Sequence, residues 1–224
     1  WHLVEPGRSF IPNWHIEAIC LFLEALTRLD IQRLVINIPP GFMKSLSSCV
    51  FFPAWCWGLE NPSLRFIFGS YSGALALRDS TKCRRVIQSP WFESVARFPI
   101  VLQADQNLKT KFENTQTGFR LATSVGGLGT GGRADFICCD DPLKASEAES
   151  ELARSYSLDW WTNTMSTRGS DPRSARFLVI AQRLHYEDIP GWCLKQGYDY
   201  LILPAERVKG EPITSRPDLL PPGL

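Results

Sequence analysis

Lys44 and Ser45 stand where a tight loop meets a helix-like segment, and that placement gives both side chains chemistry to do. An apolar run at residues 34–38 breaks at Pro39-Pro40-Gly41, passes Phe42 and Met43, and reaches the Lys-Ser pair. Strand, tight loop, Lys-Ser, then helix is the layout of a phosphate-binding loop. Loop amides and a helix N-terminus aim donors at phosphate oxygens, a lysine adds a mobile positive charge, and a serine hydroxyl can hold Mg²⁺. The residues placed to cradle a nucleotide are Pro40, Gly41, Phe42, Met43, Lys44, Ser45 and Leu46. The full pattern G-x-x-x-x-G-K-[ST] asks for glycine at positions 38 and 43, where this chain has Ile38 and Met43. Glycine serves such loops by taking positive φ. A non-glycine still donates its N–H, so the cradle can survive. An ordinary strand-to-helix turn with a surface lysine accounts for the same residues.

A second constellation lies far along the chain. Phe136-Ile-Cys-Cys139 is an apolar strand that ends in Asp140-Asp141-Pro142. In α/β sheets ligands bind beyond the carboxyl ends of strands, which is where both motifs fall. One carboxylate is needed to hold Mg²⁺ and a second to orient or deprotonate an attacking water. Asp140 is assigned to the metal and Asp141 to the water. Asp-Asp-Pro is also good turn chemistry. A rival use of the pair is half of a two-metal nuclease site, which needs further acids to converge on it. Asp105 and Asp171 are available, but neither ends a convincing strand.

The chain has 224 residues, 44% of them hydrophobic and 21% charged, which is the balance of a globular protein with one large domain or two small ones. A net charge of +1 advertises no global basic field, so any contact with DNA needs a local patch. The seven cysteines include no C-x-x-C pair. Cys138 and Cys139 are adjacent in the apolar strand and so point to opposite faces, which argues for buried, reduced thiols in a cytosolic setting. The longest apolar run, residues 49–59, is too short to span a bilayer and contains Pro53; no membrane contact is expected. The chain begins with Trp1, and it reads as part of a longer protein.

The elements that must position these groups can be outlined. Apolar spacing predicts a helix over 14–29 and a strand over 34–38. A helix should start near Lys44 and kink or stop near Pro53. A strand at 64–68 precedes a helical pattern that runs to about Ile87. Residues 109–125 alternate like a hairpin, and a glycine-rich stretch follows at 126–132. Ser146 with Glu149 forms a capping box for a helix reaching about Thr167. Strands at 177–181 and 200–203 flank a short helix at 188–195. This alternation predicts an α/β fold with a mostly parallel sheet flanked by helices and a β-hairpin insertion. The tail after Pro204 is rich in proline and charge and reads as a linker.

Taken together, several segments resemble the ATPase domain of phage terminase large subunits, the motors that package viral DNA. The loop at 38–45 looks like a variant of that family's Walker A, and residues 69–78 like the strand-to-helix region after it. Residues 131–144, with Asp140-Asp141, resemble its Walker B and lead-in. Ala181-Gln-Arg-Leu-His-Tyr-Glu-Asp188 is similar to its coupling segment, and Leu203-Pro-Ala-Glu206 to the close of the domain. The resemblance covers roughly residues 10–206. It implies an ASCE-type P-loop NTPase fold, with an additional strand between the two Walker strands; the strand at 64–68 is a candidate for that part. It divides the chain into an ATPase domain at 1–206 and a linker at 207–224 toward a C-terminal nuclease domain outside this sequence.

The resemblance also implies ATP and Mg²⁺ as cofactors and translocation of double-stranded DNA into a procapsid. The implied partners are a portal protein, a small terminase subunit and further copies in a ring of five, in the host cytoplasm and transiently on the portal. Many members carry an arginine within Walker A. This chain does not, so transition-state charge needs another arginine. Arg133 is the first candidate, acting on a neighbouring subunit's ATP; Arg78 and Arg183 are weaker ones. His15 or Trp14 would contact adenine, although a core role fits Trp14 better. Gln182 would sense the γ-phosphate. Asp141 stands where the family often has the longer Glu. The alternatives are another P-loop translocase of helicase type, and a non-catalytic module whose degenerate loop has lost ATP.

Overall fold

The computed structural model describes residues 1–127, 132–206 and 210–221. Most of the glycine-rich stretch expected at 126–132, and residues 207–209 and 222–224 of the tail, lie outside the described residues.

Parallel strands buried on both faces need apolar side chains on both, and the central strands have them. These are β1 (Arg33–Asn37), β2 (Phe66–Ser70), β6 (Phe136–Asp140) and β7 (Arg176–Ala181). One face carries Leu34, Ile36, Phe66, Phe68, Phe136, Cys138, Leu178 and Ile180 into a core shared with the N-terminal helices. The other carries Val35, Ile67, Ile137, Cys139 and Val179 into a second core with Trp160, Trp161 and Met165. Cys138 and Cys139 therefore face opposite layers, as the strand period requires.

With β3 (Leu102–Asn107), β4 (Lys111–Asn114), β5 (Phe119–Ser124) and β8 (Asp199–Ile202), the sheet order is β3-β4-β5-β2-β6-β7-β1-β8. Among the described strands, only β3–β4 and β4–β5 pair antiparallel. The expected hairpin is thus β4–β5, but it is not set apart from the sheet: β5 pairs parallel with β2 and extends it. The edge strand β3 carries no apolar alternation, which hides it from periodicity. The additional strand between the two motif-bearing strands is β7, which pairs with both β1 and β6. The strand at 64–68 lies outside β6 instead, which corrects its expected place.

Helix α1 (Trp14–Arg28) packs Ala18, Ile19, Phe22 and Leu26 into the first core, and Leu29 closes it in the left-handed region at φ 65°. Trp14, expected in the core, is exposed. The helix opening at Lys44 does not end at Pro53. It runs over residues 44–60 as π turns at Leu46–Phe51 and Cys56–Glu60 around a short α segment, α2 (Phe52–Trp55). Helix α3 (Gly73–Ile87) follows β2, and α4 (Pro90–Val95) is capped by the Ser89 hydroxyl accepting from Phe92 N–H.

Helix α5 (Glu151–Asp159) starts later than the Ser146/Glu149 box implied, because Ser150 caps it by accepting from Ala153 N–H. It continues as a π turn, Trp160–Met165, and a final turn, Ser166–Arg168, close to the expected end. Helix α6 (Ile189–Lys195) joins β7 to β8. The described tail is packed rather than free. Ile213, Leu219 and Leu220 lie against the first core, and Ile202 N–H donates to the Ile213 carbonyl at 2.7 Å. No described helix is long and apolar enough to cross a membrane.

Candidate active site

The parallel strands end together. Register pairs Ser70 with Asp140, Asp140 with Ile180, and Asn37 with Ala181, so the residues after each strand emerge along one sheet edge. Lys44, Ser45, Asp140, Asp141 and Gln182 all reach that edge. Asn37 adds a tie there, its side-chain amide donating to the Ala181 carbonyl at 3.0 Å. Sequence reasoning passed over Asn37, although a lone amide in an apolar strand was a signal.

The loop at 39–43 turns by positive φ at Gly41 (90°) and Met43 (63°). Met43 thus adopts the left-handed backbone that glycine would take at that position, at a steric cost borne by its Cβ. Its carbonyl accepts from Ser47 N–H at 2.9 Å, opening the helix, and the Lys44 carbonyl accepts from the Ser48 hydroxyl at 2.6 Å. Phe42 is exposed beside the loop, with its ring 5.4 Å from that of His15 in an edge contact. His15 is therefore brought to the loop, and burial lowers its pKa.

Lys44 is buried, its Nζ 3.5 Å from Asp140 Oδ1 and in direct contact with Asp141 Oδ2. Burial opposes the Lys44 charge, but Asp140 and Asp141 outweigh it and raise the lysine's pKa. Asp140 is less well served. Burial pushes its carboxyl up to about 6, Lys44 and a Ser45 hydroxyl bond pull it down, and Asp141 pushes it up again. Both pKa values therefore rise: burial outweighs the shared ammonium at Asp140, while two carboxylates outweigh burial at Lys44. Asp141 takes φ 44°, which turns the chain after β6, and its Oδ1 accepts from Gln182 N–H at 3.3 Å.

Beyond Gln182 the turn is organised by the buried Asp188, which closes the coupling-like segment and opens the next helix. Its Oδ2 accepts from Leu184 and His185 N–H, its Oδ1 from Gly191 N–H, and Arg183 lies 3.4 Å away. His185 Nδ1 accepts from Glu187 N–H, so that ring is tied into the same turn.

Other candidates fall elsewhere. Arg133 precedes β6 and donates to the Gly169 carbonyl at 3.1 Å, at the sheet edge opposite Asp140. It is out of reach of this chain's own Lys44. Arg78 is held by both oxygens of the buried Asp79. Asp105 lies on edge strand β3 and Asp171 before the start of β7, so neither joins the acidic pair. Among the described residues no group of three or more His, Cys, Asp and Glu side chains is arranged to hold a metal. A cavity of about 430 Å³ lies on the far side of the 44–60 helix and is almost wholly apolar. Of the loop it touches Met43 alone, and it does not touch Lys44, Asp140 or Asp141.

Comparison with known proteins rests on the fold, because no family model and no curated protein sequence matches the chain. Among solved structures, the large terminase of bacteriophage HK97 superposes with a TM-score of 0.57 over 97% of this chain at 13% identity. The chain has the phage large-terminase fold. It spans 44% of the length of the HK97 chain. The ATPase domain of the Thermus phage P74-26 large terminase, as a mutant, aligns at a TM-score of 0.49 and 13% identity over 83% of this chain and 70% of its own. The α/β order found here, with β7 lodged between β1 and β6, is that of an ASCE-type P-loop fold.

Proposed function

We propose that this chain is the ATPase domain of a viral DNA-packaging motor. The observation that carries the reading is the convergence, at one sheet edge, of a Lys-Ser pair opening a helix and an Asp-Asp pair closing a strand. Mg²⁺ fits the donor set: a hydroxyl at Ser45 and a carboxylate at Asp140 supply hard oxygen ligands, and the Ser45 hydroxyl acts on the Asp140 carboxyl, lowering its pKa. The metal would neutralise phosphate charge. Lys44 binds the phosphates with the amides of residues 40–46, and Asp141 orients the attacking water. Gln182, tied to Asp141 through its N–H, senses the γ-phosphate, and His15 beside Phe42 contacts the base. Left-handed Met43 supplies the turn that the missing glycine would make, which favours a working loop over a degenerate one.

The terminase fold supports coupling of hydrolysis to translocation of double-stranded DNA, with a portal, a small subunit and further copies in a ring as partners. Arg133 then serves a neighbouring subunit's nucleotide, since it lies far from its own.

The test is Mg²⁺-dependent ATP hydrolysis across a range of chain concentration, beside Lys44→Ala and Asp141→Asn. Turnover should rise with concentration. Asp141→Asn should lower kcat by about 10²–10⁴-fold, and Lys44→Ala should weaken ATP binding by about 10–100-fold. Absence of both turnover and ATP binding in the parent chain would overturn the reading.

A further inference from the structure

Asp188 is 3% exposed, and a carboxylate so buried needs its charge answered on the spot. Its two oxygens divide that work. Oδ1 caps α6, accepting from Gly191 N–H at 2.8 Å, and lies 3.4 Å from Arg183 Nε. Oδ2 reaches back along the chain to Leu184 N–H at 3.0 Å and His185 N–H at 3.2 Å. A helix cap needs only the first oxygen. Ser89 and Ser150 cap α4 and α5 with a single hydroxyl each. The second oxygen of Asp188 therefore does something a cap does not require: it holds the turn that leaves β7.

That turn begins at Gln182, whose N–H donates to Asp141 Oδ1 at 3.3 Å. The described residues offer the Asp141 carboxylate two donors, this amide and the Lys44 ammonium. A lysine drawn to a phosphate leaves the Gln182 amide to orient the carboxylate. Asp141, Gln182, Leu184 and Asp188 line one small cavity, so the two carboxylates belong to one local assembly. Gly191 lets that assembly close, because a Cβ there would lie 2.2 Å from the Tyr186 carbonyl oxygen. Arg183 completes it, with Nη2 donating to the His185 carbonyl at 3.5 Å.

We propose that Asp188 is a positioning residue for Asp141: one of its oxygens caps α6, and the other fixes the turn whose first amide, Gln182 N–H, orients the Asp141 carboxylate. Release of the second oxygen frees two amides and lets the Gln182 N–H wander from its acceptor. The kinetic consequence rests on the ATPase reading; the structural one does not.

The experiment compares the parent chain with Asp188→Ser and Asp188→Ala. Serine keeps one capping oxygen and loses the second acceptor; alanine loses both. Amide hydrogen exchange at residues 182–191 is read in the nucleotide-free chain, and kcat and KM for MgATP are read alongside. In Asp188→Ser the Gly191 amide should stay protected, while the Gln182, Leu184 and His185 amides exchange about tenfold faster. Its kcat should fall by about 10- to 100-fold with KM near the parent value, because the phosphate loop is untouched. Asp188→Ala should show the same loss and expose Gly191 as well. An Asp188→Ser chain with the parent's Gln182 exchange and kcat would overturn the proposal and leave Asp188 as a helix cap. A raised KM at unchanged kcat would also overturn it, since the turn would then serve binding rather than Asp141. If Asp188→Ala does not fold, the serine variant carries the test; failure of both to fold would make Asp188 a residue of the fold alone. A parent chain without turnover removes the ATPase reading, while exchange at Gln182 still decides whether Asp188 holds the amide on Asp141.

Discussion

Lys44 Nζ lies 3.5 Å from Asp140 Oδ1, across 96 residues of sequence, and the two partners gain unequally from the contact. The lysine is favoured as a cation, whereas the aspartate remains costly to ionise because burial exceeds its share of one ammonium. The pair is therefore a poor staple for the fold; under the function proposed above, its charges serve a phosphate and a metal.

A pH dependence follows from that imbalance. The Asp140 carboxyl titrates near 6 in the folded chain against a reference of 3.8. Between those values the folded state binds the extra proton, so this group makes stability fall as pH rises through the window. Asp140→Asn removes the penalty. Without metal or nucleotide, its unfolding free energy in urea should gain on the parent between pH 4 and pH 7, by up to about 3 kcal/mol. A constant difference across that range would show that Asp140 is not raised.

Met43 stores backbone strain at φ 63°. Met43→Ala keeps the strain and loses the side chain; Met43→Gly loses both. The glycine variant should be the more stable of the two by about 1 kcal/mol in denaturant unfolding. Alanine equal to glycine would mean the loop does not use the left-handed conformation.

The thiols should divide sharply. Cys20 is exposed, while Cys49, Cys56, Cys83, Cys138, Cys139 and Cys193 are buried. Burial raises the pKa of every one of these six, so neither access nor ionisation favours their attack. A disulfide reagent should titrate one thiol in the native chain and all seven after denaturation. Loss of the fast thiol in Cys20→Ser would confirm its identity; a second fast thiol would contradict the burial of the sheet cysteines.

Much of the site was legible in the chain because its parts are local. The apolar strands before Pro39 and Asp140 announce themselves by composition, and Lys44-Ser45 and Asp140-Asp141 follow them directly. Their placement at strand carboxyl ends is a property of two short segments, each readable alone. Pro53 was legible as a residue but not in its effect. Whether a proline stops a helix depends on how the chain around it is wound, and here the helix passes Pro53 between two π turns. Edge strand β3 was missed for a related reason: Asp105 and its polar neighbours face solvent, where no alternation is imposed.

Sequence alone determined the chemistry offered at each strand end, since side-chain type and the break from strand to loop are set within a few residues. Only the tertiary structure decided that β7 rather than β2 separates β1 from β6, and hence that Gln182 stands beside Asp141. Strand order is chosen by which apolar faces bury together across long stretches of chain, and no local pattern records that choice. The same holds for Met43, whose φ is imposed by a loop closing between a fixed strand and a fixed helix.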